Sequence, residues 1–208
     1  MPDLKIAVEG AEPAPFAVTP LLAIKLKLSN ADAGEHIYNV MLQSQLQIET
    51  TRRLYDDAEQ ANLSDLFGEP QRWNQTLRPM LWTHASVNVR PFKEQTYVDL
   101  LVPCTFDFNV AATKYFDGLN QGDIPVGLLF SGTIFYEDDA GALSVAQIPW
   151  ATEARFRLPI TAWKKMMDHY YPNSAWLMLR RDVFDRLHRF KRERGLGTLE
   201  QAVEQLLP

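Results

Sequence analysis

At 208 residues the chain can bury roughly 70% of its unfolded surface, which suits one good core with a small appendage. The formal net charge is −5, and the basic residues are scattered except near the C-terminus, so the footprint of a nucleic-acid binder is missing. One cysteine, Cys104, excludes an intrachain disulfide, a thiolate zinc site and an iron–sulfur cluster held by this chain alone, and it fits a cytoplasmic compartment.

The start MPDLKIAVEG lacks the apolar core of a signal peptide, and no segment nears the roughly 18 uninterrupted apolar residues of a membrane span. The stretch LKIAVEGAEPAPFAVTP holds a strand-like piece, then Pro13, Pro15 and Pro20, which favour an extended edge segment over a helix. In LLAIKLKL, Leu22, Ile24, Leu26 and Leu28 alternate with Ala23, Lys25 and Lys27, the period of a strand with one wet face. After the turn SNADAGEH comes IYNVMLQSQLQIE, where Tyr38, Val40, Leu42, Leu46 and Ile48 oppose Asn39, Gln43, Gln45 and Gln47. These two strands are expected to pair as an antiparallel hairpin with a polar outer surface.

From Thr51 to Phe67 the alternation gives way to helix formers, with Leu54, Ala58 and Ala61 on one side and Gly68 and Pro70 as a stop, so one or two short helices fit. QRWNQTLRPMLW is irregular, and Trp73 and Trp82 read as anchors of a surface loop. Strand character returns in THASVNVR and in YVDLLVPCTFDFNVAA, where Leu100, Val102, Cys104, Phe106, Phe108 and Val110 take alternate positions. A helical or loop crossing, TKYFDGLNQGDIP, precedes VGLLFSGTIFY, whose dense β-branched and aromatic run reads as a strand buried on both faces. Glu137 to Gly141 then reverses the chain into a hairpin. In EARFRL, Ala154, Phe156 and Leu158 oppose Glu153, Arg155 and Arg157.

Pro159 opens a helix whose Ile160, Trp163, Met166, Met167 and Tyr170 follow the i, i+3, i+4, i+7 rule, and Pro172 closes it. Asp182 is placed as the N-cap of a second helix with Val183, Phe184, Leu187 and Phe190 as its apolar stripe, ended by Gly195 behind a basic last turn. Thr198 and Gln201 make a capping box for a short last helix carrying Val203, Leu206 and Leu207.

No catalytic pattern emerges. His36, His84, His169 and His188 lack the spacing of a helical metal site, and His84 with Cys104 is the one thinkable Cys–His couple. Ser131 in FSGT has Leu129 where a nucleophile elbow needs glycine. The carboxylates of 56–59 and 137–139 read as a solvated helix face and a turn, the glycines of DGLNQGDIPVG lack the Lys-Ser/Thr of a phosphate loop, and Lys114 reads as a snorkelling edge lysine. Arg180 to Arg194 holds seven basic residues besides His188, interleaved with Asp182, Asp185 and Glu193, as in a solvated amphipathic helix. The aromatic excess of 11 Phe, 7 Tyr and 5 Trp serves packing, yet Met and aromatic side chains also line tolerant protein-binding grooves.

Two resemblances bear on these residues. The run CTFDFNVAATKYFDGL, PVGLLFSGTIFY and IPWATEARFRLPITAWKKMMDHYYPNSAWLMLRRDVFDRL resembles an uncharacterised bacterial family, a domain of unknown function often encoded beside nickel–iron hydrogenase genes. That resemblance covers most of the chain and implies no reaction. AIKLKL, HIYNVMLQSQLQIE and ARFRLPITAWKKMMDHYYPNSAWLMLRRDVFDRLHRFKR are similar to the SecB export chaperones, which have a four-stranded antiparallel sheet followed by a long and a shorter helix. Leu158-Pro159 matches the turn into the first of those helices, and Phe184-Asp185 the start of the second. The chain departs from that pattern by inserting roughly 51–90 and by adding strands.

The expected fold is therefore α+β: a mostly antiparallel sheet of about seven or eight strands, SecB-like, over residues 1–158, with a helical or irregular insertion near 51–82. Helices of 159–208 are expected to pack on the same core. The expected function is a non-enzymatic, chaperone-like accessory factor that binds protein, with hydrogenase subunits or maturation factors as partners. Its candidate contact residues are Trp163, Met166, Met167, Tyr170, Tyr171 and Trp176. No cofactor, metal, nucleic acid or membrane is expected, and a homo-oligomer is left open. A ligand-binding domain or enzyme of unknown chemistry, and a structural subunit of a larger complex, are the alternatives.

Overall fold

The computed structural model describes residues 2–31 and 35–207. Eight strands lie among them: β1 (Leu4–Pro13), β2 (Leu21–Asn30), β3 (Ile37–Ile48), β4 (Met80–Val89), β5 (Gln95–Pro103), β6 (Asp123–Glu137), β7 (Leu143–Gln147) and β8 (Glu153–Pro159). The helices are α1 (Asp57–Asn62), α2 (Ser64–Phe67), α3 (Trp73–Thr76), α4 (Val110–Gly118), α5 (Ile160–Tyr170), α6 (Arg181–Glu193) and α7 (Leu199–Glu204). The fold is α+β with antiparallel strand pairing throughout. Among the described residues no helix is long and apolar enough to cross a membrane.

The strands form two sheets. One has the order β1-β2-β5; the other runs β4-β3-β6, and the far edge of β6 is shared by β8 along 123–129 and by β7 along 133–137. The sheets come close edge to edge where β4 meets β5 and where β1 meets β8. Leu22, Leu26 and Leu28 of one sheet and Leu42, Leu46 and Leu128 of the other bury in a single hydrophobic cluster. Burying such side chains contributes on the order of 2 kcal/mol each, which is what holds two half-wet sheets together.

The expected β2–β3 hairpin does not form. β2 pairs with β1 and β5, whereas β3 pairs with β4 and β6. Residues 32–34 of the expected turn lie outside the described residues. In β3 the inward set begins at Ile37, and Tyr38 faces outward instead, since a bulge between Ile37 and Asn39 shifts the alternation by one. β6 is buried on both faces only along 124–128; from Leu129 onward it alternates. Beyond Pro103 the strand stops, and Val110 opens α4 rather than ending β5, with the Asn109 side chain accepting from the Ala112 N–H as N-cap.

The insertion also packs differently from its apolar pattern. Leu54, Ala58 and Ala61 are exposed, while Glu59 and Leu63 are buried. Trp73 and Trp82 are core residues rather than surface anchors; Trp82 meets Phe116 edge-on at 5.1 Å between ring centroids. α5 lies against β1, β2 and β8. The chain divides into two compact units, residues 1–173 and 174–208, and α5 belongs to the first. α6 begins at Arg181, one residue before the expected cap, and Asp182 sits in its first turn. Gly195, at φ +66, ends it as expected, and the Thr198–Gln201 capping box is formed.

Candidate functional site

The six candidate contact residues separate. Trp163, Met166 and Met167 form the inner face of α5 and are at most 5% exposed, with Trp163 5.3 Å from Phe116 between ring centroids. Tyr170 is half-buried and its hydroxyl donates to Ala17 O at 2.7 Å. Tyr171, also half-buried, lies tilted on Phe106 at 4.7 Å. These five side chains hold α5 in place and present no free groove; the i, i+3, i+4, i+7 pattern is the same for a core stripe and for a docking stripe. Trp176 alone of the six is exposed, and it belongs to the second unit.

That second unit carries an apolar surface of its own. Leu177, Val183, Leu187, Phe190, Val203 and Leu207 line a groove of about 490 Å3, in which Arg186 is the single charged lining residue. No residue of α6 is buried; Leu177 is 72% and Leu207 63% exposed. Arg194 caps one flank with its guanidinium 5.5 Å from the Phe190 ring centroid. Basic side chains outnumber acidic ones seven to five in residues 174–208.

A second hollow, of about 620 Å3, lies on the outer face of the larger sheet. The register sets its floor in two rows: His84, Gln45 and Leu129 stand side by side across β4, β3 and β6, and Ser86, Gln43 and Ser131 form the next outward row. The loop between β7 and β8 closes one side. It is pinned by Ile148 N–H to Gly132 O and Phe130 N–H to Thr152 O, both 2.9 Å, and it presents Trp150, which is 94% exposed.

Several other chemistry-bearing residues sit in local contacts of the fold. Asp56 caps α1, and Asp138 accepts from Ala140 N–H, Ala142 N–H and the Ser144 hydroxyl, bonds that hold its carboxyl below its usual pKa. His84 faces outward while Cys104 is buried and donates to Val102 O at 3.4 Å, so they form no couple. Ser131 and His84 stand on different rows with β3 between them, which precludes a Ser–His pair. Lys114 is half-exposed, 3.7 Å from Asp65. No group of three metal-ligating side chains occurs among the described residues.

One cluster escaped the sequence reading. Arg53 and Glu59 make an ion pair of 2.6 Å between nearly inaccessible side chains. Arg53 also donates to Asp123 O at 2.7 Å and Gln121 O at 2.6 Å, and Glu59 accepts from Asn120 N–H at 2.9 Å. Beside them the Tyr55 hydroxyl donates to Thr50 O at 2.7 Å and lies 2.8 Å from the Tyr115 hydroxyl. Burial raises both tyrosine pKa values, so both stay neutral. The cluster ties the insertion to the start of β6. A charge inside a run of helix formers gave no sign of burial, because its partner Arg53 and the backbone carbonyls come together only in the fold.

One protein-family model, described as a family of unknown function (DUF6084), matches residues 1–208. The chain belongs to that family. No curated protein matches this DUF6084 sequence. Family membership brings no reaction with it, so the functional reading of this DUF6084 protein rests on the two surfaces above.

Proposed function

We infer that this protein is a non-enzymatic accessory factor whose residues 174–208 hold an amphipathic helix of a partner polypeptide. The groove between α6 and α7 carries the reading: it is apolar except for Arg186, and its walls remain open to solvent. Val183, Leu187 and Phe190 follow one another at helical spacing on α6, the ridge that a second helix packs against by ridges-into-grooves. The excess of basic side chains in this unit favours a partner helix flanked by acidic residues. The resemblance to a family encoded beside hydrogenase genes directs the search to nickel–iron hydrogenase subunits and their maturation proteins, and the role we propose is in their assembly. The separation of Ser131 from His84 favours a binding role over hydrolysis.

The test uses the full-length chain and the purified hydrogenase large subunit and maturation proteins of the same host, measured by calorimetry. We expect at least one to bind, and Leu187→Asp to weaken that binding tenfold or more with an unchanged near-ultraviolet circular dichroism spectrum. Equal binding by the variant overturns the groove as the contact. Two further outcomes replace the helix partner: a dimer in sedimentation that Leu187→Asp dissolves, or binding to anionic vesicles with no protein bound.

A further inference from the structure

We propose that the hollow on the outer face of the larger sheet is a binding site for a neutral saccharide, a role separate from the groove of residues 174–208. The lining decides the ligand class. It contains no Asp, Glu, Lys or Arg; its outward polar side chains are Gln43, Gln45, Ser86, Ser131 and His84. Among the described residues none of these five makes a side-chain hydrogen bond within the chain, so each amide and hydroxyl offers a donor and an acceptor to a ligand. A phosphate or carboxylate would find no lysine or arginine in the lining to hold it. A lipid would find only Leu129 and Trp150 as apolar outward surface. A peptide could not add as a strand to β3, whose backbone is paired on both sides.

Polyhydroxylated rings answer such a lining. Their hydroxyls donate and accept at once, as glutamine amides and serine hydroxyls do, and their C–H faces stack on aromatic rings. Trp150 supplies the ring. The domain buries Trp73, Trp82 and Trp163 yet leaves Trp150 94% exposed, on a turn closed by Thr152 N–H to Pro149 O at 3.0 Å. Neighbouring strands lie about 4.8 Å apart and outward rows about 7 Å apart, so the six floor positions cover an area of about one or two pyranose rings. The volume of about 620 Å3 falls within the range of small-ligand sites, roughly 300–1,000 Å3.

The test is a glycan array probed with the labelled full-length chain, followed by nitrogen-15 NMR titration with the best-bound neutral oligosaccharide. Expected are shifts of the Trp150 indole and the Gln43 and Gln45 side-chain amides, and at least tenfold weaker binding for Trp150→Ala and for Gln45→Ala. Thermal melting of Trp150→Ala should match the parent, since the indole is open to solvent. Three results overturn the proposal: no neutral glycan bound on the array, binding unchanged in both variants, or a preference for sulfated or sialylated glycans. Loss of saccharide binding in Trp150→Ala with hydrogenase-partner binding intact would confirm that the two surfaces act separately.

Discussion

Arg53 and Glu59 are the residues on which the insertion depends. Their charges are out of water, and the Coulombic gain is realised because two backbone carbonyls accept from the terminal nitrogens of Arg53 and the Asn120 N–H donates to Glu59, although the buried Arg53 Nε has no partner. Removing one partner strands the other. Glu59→Ala should therefore lower stability by about 3–5 kcal/mol in urea unfolding, whereas the double change Arg53→Met with Glu59→Leu should cost markedly less. A loss under about 1 kcal/mol for Glu59→Ala would contradict this account. Cys104 behaves in the opposite manner, as a neutral hydrophobe. Burial pushes its thiol from 9.0 up to about 12. Between those two values the folded state keeps a proton that the unfolded state has released, so stability falls as pH rises from about 9 to about 12. Cys104→Ala should flatten that alkaline slope in unfolding curves recorded at pH steps through the window; an unchanged slope would assign it to other groups.

At the scale of elements, β6 does the most. One edge pairs with β3, and the other passes from β8 to β7 at residues 130–132. Gly132 makes the transfer possible: at φ +142 a Cβ would collide with Met41 O. Gly132→Ala should cost about 3 kcal/mol or more and move the Trp150 loop, read as a lowered melting temperature together with shifted amide resonances at 148–152. Local pattern revealed much of this element. The two apolar runs and the Glu137–Gly141 reversal marked the β6–β7 hairpin, and the alternation of Ala154, Phe156 and Leu158 gave β8. The bulge in β3 was not legible, because a bulge adds no signal to side-chain alternation until the partner strand is known. Nor was the start of α4. Phe106, Phe108 and Val110 fit period two as well as any strand, and only the loss of a ladder donor at Pro103 and the Asn109 cap separate the two readings.

The whole molecule divides charge as well as structure. Residues 1–173 hold 14 of the 21 basic and 21 of the 26 acidic side chains, and residues 174–208 hold the remaining seven and five. The larger unit is thus acidic and the smaller one weakly basic, with the apolar groove on the basic unit and the charge-free hollow on the acidic one. The sequence by itself determined the α+β class, most strand and helix positions, the α5 stripe and the caps of the last helices, because side-chain periodicity and capping are properties of neighbours along the chain. Tertiary structure alone decided which sheet each strand joins, whether an amphipathic stripe is core or groove, and which outward residues meet in the Trp150 hollow. Those outcomes depend on pairing between residues 32–99 positions apart, where chain entropy and competing partners outweigh any local preference.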